Sequence, residues 1–325
     1  MLQWKNDRNG ESALLIKGAR RVGKSTLAQQ FAQNEYDSHI AIDFARCKKE
    51  VRNLFDDISD LDYIFMRLQI LFKTDLVRRK SVIIFDEVQK CPNARQAIKY
   101  LVEDGRYDYI ETGSLLSIKQ NVKDILIPSE EHELCLFPLD YEEFKWALDD
   151  NVSIPLLKKL YDSRKPMGDD GNRSLMRDFR LYMLVGGMPQ AVKSYIETKS
   201  LSKVDVVKRS IISLYEKDFN KIDPTANASK LFHDIPGELT RNASRYIVRS
   251  ATDGGRPQRM LETISDMQDS MVVNLAYHAN DPSAGMALHR DTDRYKMFVG
   301  DTGLFVTLAF WDKQFTAVSY THLRA

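Results

Sequence analysis

Cysteine, histidine and excess charge are all scarce in this chain, and each scarcity removes a class of function. Only three cysteines occur in 325 residues, at Cys47, Cys91 and Cys135. They are far apart and odd in number, so neither a disulfide framework nor a zinc spacing can be assembled from them. The six histidines share no metal-ligand spacing. Lys and Arg total 47 against 46 Asp and Glu, a net charge of +1. That excludes a chain held to nucleic acid by bulk charge, though not a local basic patch. It also excludes an acidic disordered chain. No apolar run reaches about 18 residues, so no segment is expected to span a membrane. Met1 to Ser12 has no apolar signal region, and a reducing cytoplasm is the expected compartment. Apolar residues make up 43% of the chain, enough for a real core. At roughly 150 residues per domain the length suggests about two domains.

The order of the apolar segments points to an α/β fold. Ala13-Leu14-Leu15-Ile16 reads as a buried strand, followed at once by a glycine-rich turn and a helical stretch from Ser25 to Gln33. His39 to Phe44 is a second strand. Leu61 to Arg79 carries Ile64, Phe65, Leu68, Leu71, Phe72 and Leu76 at helical spacing. Val82-Ile83-Ile84-Phe85 is an unbroken apolar run, as a central strand of a parallel sheet should be. Asn93 to Val102 reads as a helix, and Tyr107–Glu111 and Glu133–Phe137 as further strands. Strands alternating with helices imply a parallel sheet. Beyond Pro138 the pattern turns helical, over Tyr141–Asp149, Ser174–Val185 and Val204–Ile222, with Gly186-Gly187-Met188-Pro189 breaking the chain between two helices. From about Leu231 the pattern is helix, loop, helix and then β-like runs at Met271–Tyr277 and Tyr295–Val299, which suggests a small winged-helix-like domain. The expected division is an α/β core over 1–145, a helical region over 146–228, the winged-helix-like domain over 229–299 and a remainder over 300–325.

Gly18-Ala19-Arg20-Arg21-Val22-Gly23-Lys24-Ser25 matches G-x-x-x-x-G-K-[ST]. Such a match arises by chance in on the order of one in a hundred chains of this length. Here the strand runs directly in and the helix, with Thr26 in its first turn, runs directly out, as the motif requires. The glycines let the backbone wrap a phosphate, and loop amides and helix N-terminus turn partial positive charge towards it. Lys24 is placed to reach the β- and γ-phosphates of ATP, and Ser25 to ligate magnesium. Asp86 and Glu87 end the apolar third strand. Asp86 would hold the magnesium, through water, at the crevice where α/β sheets bind ligands. Glu87 would act as general base on the water that attacks the γ-phosphate. Thr112 and Ser114 end the next strand. Either hydroxyl can hydrogen-bond the γ-phosphate or that water, or can simply line a polar turn.

Together these segments resemble the AAA-family ATPases of bacteria and archaea that carry a domain of unknown function behind the ATPase core. Arg20-Arg21-Val22-Gly23-Lys24 is similar to that family's phosphate loop, Phe85-Asp86-Glu87-Val88-Gln89 to its acidic strand end, and Glu111-Thr112-Gly113-Ser114-Leu115 to its sensor segment. Phe137-Pro138-Leu139-Asp140-Tyr141-Glu142-Glu143-Phe144 is similar to the stretch that closes its core. Val185-Gly186-Gly187-Met188-Pro189 and Gly300-Asp301-Thr302-Gly303-Leu304 are similar to its two later signatures. The resemblance implies an AAA-type P-loop NTPase with a RecA-like sheet, a helical lid, and ATP and magnesium as ligands. In related signalling ATPases a Gly-x-Pro turn lies against the nucleotide base, which nominates Gly187 and Pro189; a plain turn between helices is the other reading. Asp301 and Gly303 read as structural. The family's remaining part resembles PD-(D/E)xK nucleases, and its acidic strand and lysine would lie beyond Gly303. A truncated reading frame is the expectation, with Ala317 to Ala325 resembling translated adapter sequence.

Arg241, Arg245, Arg249, Arg256 and Arg259 share 19 residues with one acid, Asp253, a local charge of +4. This segment would meet nucleic-acid phosphates, an acidic neighbouring subunit of a homo-oligomer, or solvent. Two functions are therefore open. One is an ATP-hydrolysing molecular switch whose nucleotide state moves the lid. The other is an ATP-gated nucleic-acid-binding protein of a defence or mobile-element system. A small-molecule P-loop kinase fits less well, because the chain extends far beyond residue 140 and Glu87 stands beside Asp86.

Overall fold

The computed structural model describes the chain except residues 9, 114–129, 242–256, 282–284 and 313–325. The backbone divides into two compact units, Met1–Leu136 and Phe137–Ala325. The first contains helix α1 (Leu2–Arg8), strand β1 (Ala13–Lys17), α2 (Lys24–Glu35), β2 (Ser38–Asp43), α3 (Lys49–Asn53), α4 (Leu61–Phe72), β3 (Ser81–Asp86), α5 (Pro92–Asp104), β4 (Asp108–Gly113) and β5 (Glu131–Cys135). The five strands form one parallel sheet in the order β2-β3-β4-β1-β5.

The strand period of two sorts the core into two layers. Ile83, Phe85 and Tyr109 face one side with Ile64, Phe65 and Leu68 of α4 and Ala94, Ala97, Ile98 and Leu101 of α5. Leu14, Ile16, Val82, Ile84 and Ile110 face the other with Ala28 and Ala32 of α2 and Trp4 of α1. Phe44, Phe55 and Phe85 meet edge to face at centroid separations of 5.4–5.8 Å. Burying each such ring contributes about 1.5–3 kcal/mol. Because all strands run parallel, the chain leaves β1, β3 and β4 at the same edge of the sheet, and the phosphate loop, the acidic pair and Thr112 converge there.

Two expectations about elements need correction. The helical spacing over Leu61–Arg79 yields a helix only as far as Phe72, because Lys73 takes a left-handed conformation at φ 52° and caps it. Leu76 is nonetheless buried, held in the following turn by donation from its N–H to Gln69 Oε1 at 2.9 Å. The fifth strand begins at Glu131 rather than Glu133 and is half exposed, an edge strand whose apolar count does not mark its bounds.

The second unit contains α6 (Tyr141–Ala147), α7 (Ser153–Asp162), α8 (Asp169–Val185), α9 (Pro189–Thr198), α10 (Leu201–Ile222), α11 (Asn227–Thr240), α12 (Pro257–Asp269), β6 (Val273–Ala279), β7 (Arg290–Val299) and α13 (Thr302–Ala309). A reciprocal capping box starts α6: Glu143 N–H donates to Asp140 Oδ1 at 2.8 Å and Asp140 N–H to Glu143 Oε2 at 2.9 Å. The stretch expected to be winged-helix-like shows α11, α12 and the antiparallel pair β6–β7 among its described residues. No helix among the described residues is long and apolar enough to cross a membrane.

Candidate nucleotide site

The phosphate loop is shaped by its glycines. A Cβ on Gly18 would stand 2.4 Å from the Leu136 carbonyl oxygen, so only glycine fits under the end of β5. Gly23 closes the loop at φ 99° and Arg21 also takes a left-handed conformation, at φ 72°. The α2 helix then starts at Lys24 with no side-chain cap on its N-terminus. Its first-turn N–H groups and the positive end of its dipole are the features that hold an anion. Lys24 is buried and donates to the carbonyl oxygens of Gly18 and Ala19, each at 2.9 Å. Burial lowers the pKa of its ammonium to about 8, against the opposing pull of the Glu87 and Asp86 charges. Ala19 and Val22 are buried in the loop, Arg20 is half-buried, and Arg21 and Thr26 are exposed.

Three elements meet on one carboxylate. Ser25 Oγ donates to Asp86 Oδ1 at 2.6 Å, and Thr112 Oγ1 donates to the same oxygen. Thr112 also accepts a longer bond from the Glu87 N–H at 3.4 Å. It thus bridges the two acids rather than standing alone at a strand end. A serine hydroxyl beside a carboxylate is a hard-oxygen donor pair of the kind that suits magnesium. Among the described residues no three His, Cys, Asp or Glu side chains converge as a metal site. An ion at Ser25 and Asp86 would therefore take its other ligands from water and phosphate, as magnesium does in nucleotide sites.

Glu87 sits at φ 55°, a left-handed conformation that a side chain with a Cβ adopts at a cost. Its Oε2 accepts a 2.6 Å hydrogen bond from Nε2 of Gln89, which is 2% exposed. Motif reading assigns Gln89 no role, although it stands only two residues beyond Glu87 at the strand end. Ser114 lies outside the described residues.

Gly187 and Pro189 belong to the second unit, whose own packing accounts for the glycine. A Cβ on Gly187 would stand 2.0 Å from the Leu139 carbonyl oxygen. Its N–H donates to Asp301 Oδ2 at 2.6 Å, and its carbonyl accepts from the Leu139 N–H at 2.8 Å. Asp301 Oδ1 accepts from the Leu304 N–H at 2.7 Å and so starts α13. A Cβ on Gly303 would stand 2.4 Å from the Val185 carbonyl oxygen. The two later signatures are therefore one junction, packed backbone against backbone. Pro189 fills the first position of α9, where a missing N–H costs nothing. In the arginine-rich segment, Arg241 Nη1 donates to Glu238 Oε1 at 2.6 Å on its own helix. Arg245, Arg249 and Arg256 lie outside the described residues, as does the side chain of Arg259.

Residues 10–145 match a family model described as an AAA domain, and residues 176–314 one described only as a domain of unknown function. No curated relative matches the sequence significantly. Among solved structures, the chain is similar to the Aeropyrum pernix Orc1 protein in complex with DNA, at 13% identity and a TM-score of 0.29, over 94% of this chain and 88% of that one. It is similar to PCH-2 of C. elegans at 13% identity and a TM-score of 0.33, over 61% of this chain and 58% of that one. It is similar to the Drosophila ORC bound to DNA at 11% identity and a TM-score of 0.37, over 99% of this chain and 94% of that one. Residues 10–145 carry an AAA-type P-loop NTPase domain, and a largely helical region follows it.

Proposed function

We propose that this chain binds ATP with magnesium at the edge of the first unit's sheet and hydrolyses it to ADP and phosphate as a molecular switch. The observation that supports the reading most is the meeting of Ser25 and Thr112 on one oxygen of Asp86, with Ser25 directly following the buried Lys24. In this reading Lys24 leaves the carbonyls of Gly18 and Ala19 and turns to the β- and γ-phosphates. The amides of Gly18 to Thr26 surround the phosphates, and Ser25 and Asp86 hold the ion. Bound magnesium supplies neutralising charge on the β- and γ-phosphate oxygens. Glu87 takes one proton from water as the resulting hydroxide adds to the γ-phosphorus and ADP departs. Thr112 and Ser114 align the γ-phosphate or the water. The nucleotide state moves the helical lid over 146–228 against the core over 1–145.

The test is ATP binding and turnover by the purified chain, with and without magnesium and with and without DNA. Lys24→Ala removes the loop's buried ammonium, and affinity for a fluorescent ATP analogue should fall at least tenfold, about 1.4 kcal/mol. Equal affinity in that variant overturns the phosphate-loop assignment. A turnover that DNA raises in a salt-dependent manner would favour the nucleic-acid-gated form of the switch.

A further inference from the structure

We propose that Gln89 is a positioning residue for hydrolysis: its side-chain amide sets the rotamer of Glu87 and aims that carboxylate at the attacking water. The inference rests on Glu87 as the general base. Gln89 stands on the single helical turn Val88–Lys90 that follows β3, and it is 2% exposed. Its Nε2 donates to Glu87 Oε2 at 2.6 Å, a short bond to a charged acceptor. The other end of the amide is the informative one. Gln89 Oε1 is buried and has no hydrogen-bond partner among the described residues. A buried carbonyl without a donor is costly, so a residue kept for packing alone would be better as Met or Leu. The reverse amide orientation would set Oε1 against the carboxylate, so the N–H must be the group that faces Glu87.

Both ends of Glu87 are thereby fixed. Its main chain is held in the left-handed region at φ 55°, with the N–H directed at Thr112 Oγ1. Among the described residues its carboxylate is tied through Oε2, which leaves Oε1 to accept a proton from water. Glutamate has three rotatable side-chain bonds, and a base that must meet water within hydrogen-bond reach loses rate steeply when misplaced by about 1 Å. Gln89 removes that freedom without touching substrate.

The experiment is a double-mutant cycle in the full chain between Gln89→Met and Glu87→Gln, read as kcat and KM for ATP. Gln89→Met keeps volume and deletes the donor, and kcat should fall at least tenfold while KM changes less than twofold. In the Glu87→Gln background the same change should cost nothing further, because the group it positions is already inert. Gln89→Leu serves as the second variant, with the thermal midpoint measured for both. Full turnover by Gln89→Met beside an inactive Glu87→Gln overturns the positioning role and leaves the base in place. A multiplicative loss in the double variant also overturns it, because Gln89 would then act by another route. Full turnover by Glu87→Gln instead removes the base, a different failure from either.

Discussion

Lys24 and Lys208 are the same device built for different ends. Each is buried, each has a pKa lowered to about 8 by that burial, and each donates to two main-chain carbonyl oxygens. The carbonyls of Lys24 belong to Gly18 and Ala19, in its own loop. Those of Lys208 belong to Leu184 and Gly303, so the ammonium ties α10 to the end of α8 and the start of α13. The glycine turns beside them differ in the same way. Neither helix start carries a side-chain cap, but before α9 the Gly187 N–H goes to Asp301, over a hundred residues away, and Pro189 has no N–H to give. A glycine-rich turn before a helix thus says little by itself. What separates a ligand site from a joint is whether its donors are committed to distant parts of the fold.

The comparison breaks most visibly at Lys208. Lys208→Ala strands one buried and one half-buried carbonyl at the meeting of three helices, and unfolding in denaturant should show a loss of about 2–4 kcal/mol. Lys24→Ala should shift the denaturation midpoint less, since Gly18 and Ala19 belong to one loop that can repack locally, whereas Lys208 joins three helices. Equal losses in the two variants would make Lys24 a structural residue. The next effect is protonic. Phosphates favour the charged ammonium, so ATP should raise the Lys24 pKa back above about 8. Binding at pH 8 to 9 should then take up a fraction of a proton, and binding at pH 6.5 none. Calorimetry in two buffers of different ionisation enthalpy reads this directly, and identical heats at pH 8.5 contradict it. The smallest effect concerns a buried acid of the sheet. Burial, with the Glu131 charge beside it, raises the Glu111 pKa well above its usual 4.5. An acid raised in the folded state stabilises fully below its unfolded pKa, and that contribution is lost as pH rises through the folded value. Wild type should therefore lose stability from about pH 5 upward, and Glu111→Gln should show a flatter profile with its relative advantage growing by pH 8. Parallel thermal midpoints across that range would contradict the assignment.

Much of the site was legible because its chemistry fixes residue types at strand ends. The loop Gly18–Ser25 and the pair Asp86-Glu87 stand out by their spacing, and the apolar run Val82–Phe85 announces a central parallel strand. The insertion of β4 between β1 and β3 has no local signal, because strand order depends on long-range pairing. Gln89 stands in the segment similar to the family's acidic strand end, but its burial and its contact with Glu87 have no signal in the sequence. Arg95 and Glu131 look like surface charges in sequence, yet they form a buried pair with Nη2 and Oε2 3.0 Å apart. Only the packing of α5 over the sheet brings them together. Gly187 is the reverse case. Its motif left a ligand contact and a plain turn between helices both open, and the neighbouring Leu139 carbonyl explains the need for glycine without deciding between them.

The central claim, that the acidic end of β3 turns a phosphate loop into a hydrolase, is tested most directly by single-turnover ATP cleavage in Glu87→Gln. The amide keeps the size of the side chain but cannot accept the proton from water. ATP should bind with magnesium at wild-type affinity and remain uncleaved, with the rate down roughly 10²–10⁴-fold. Cleavage at the wild-type rate would contradict the account, because some group other than Glu87 would then be activating the water.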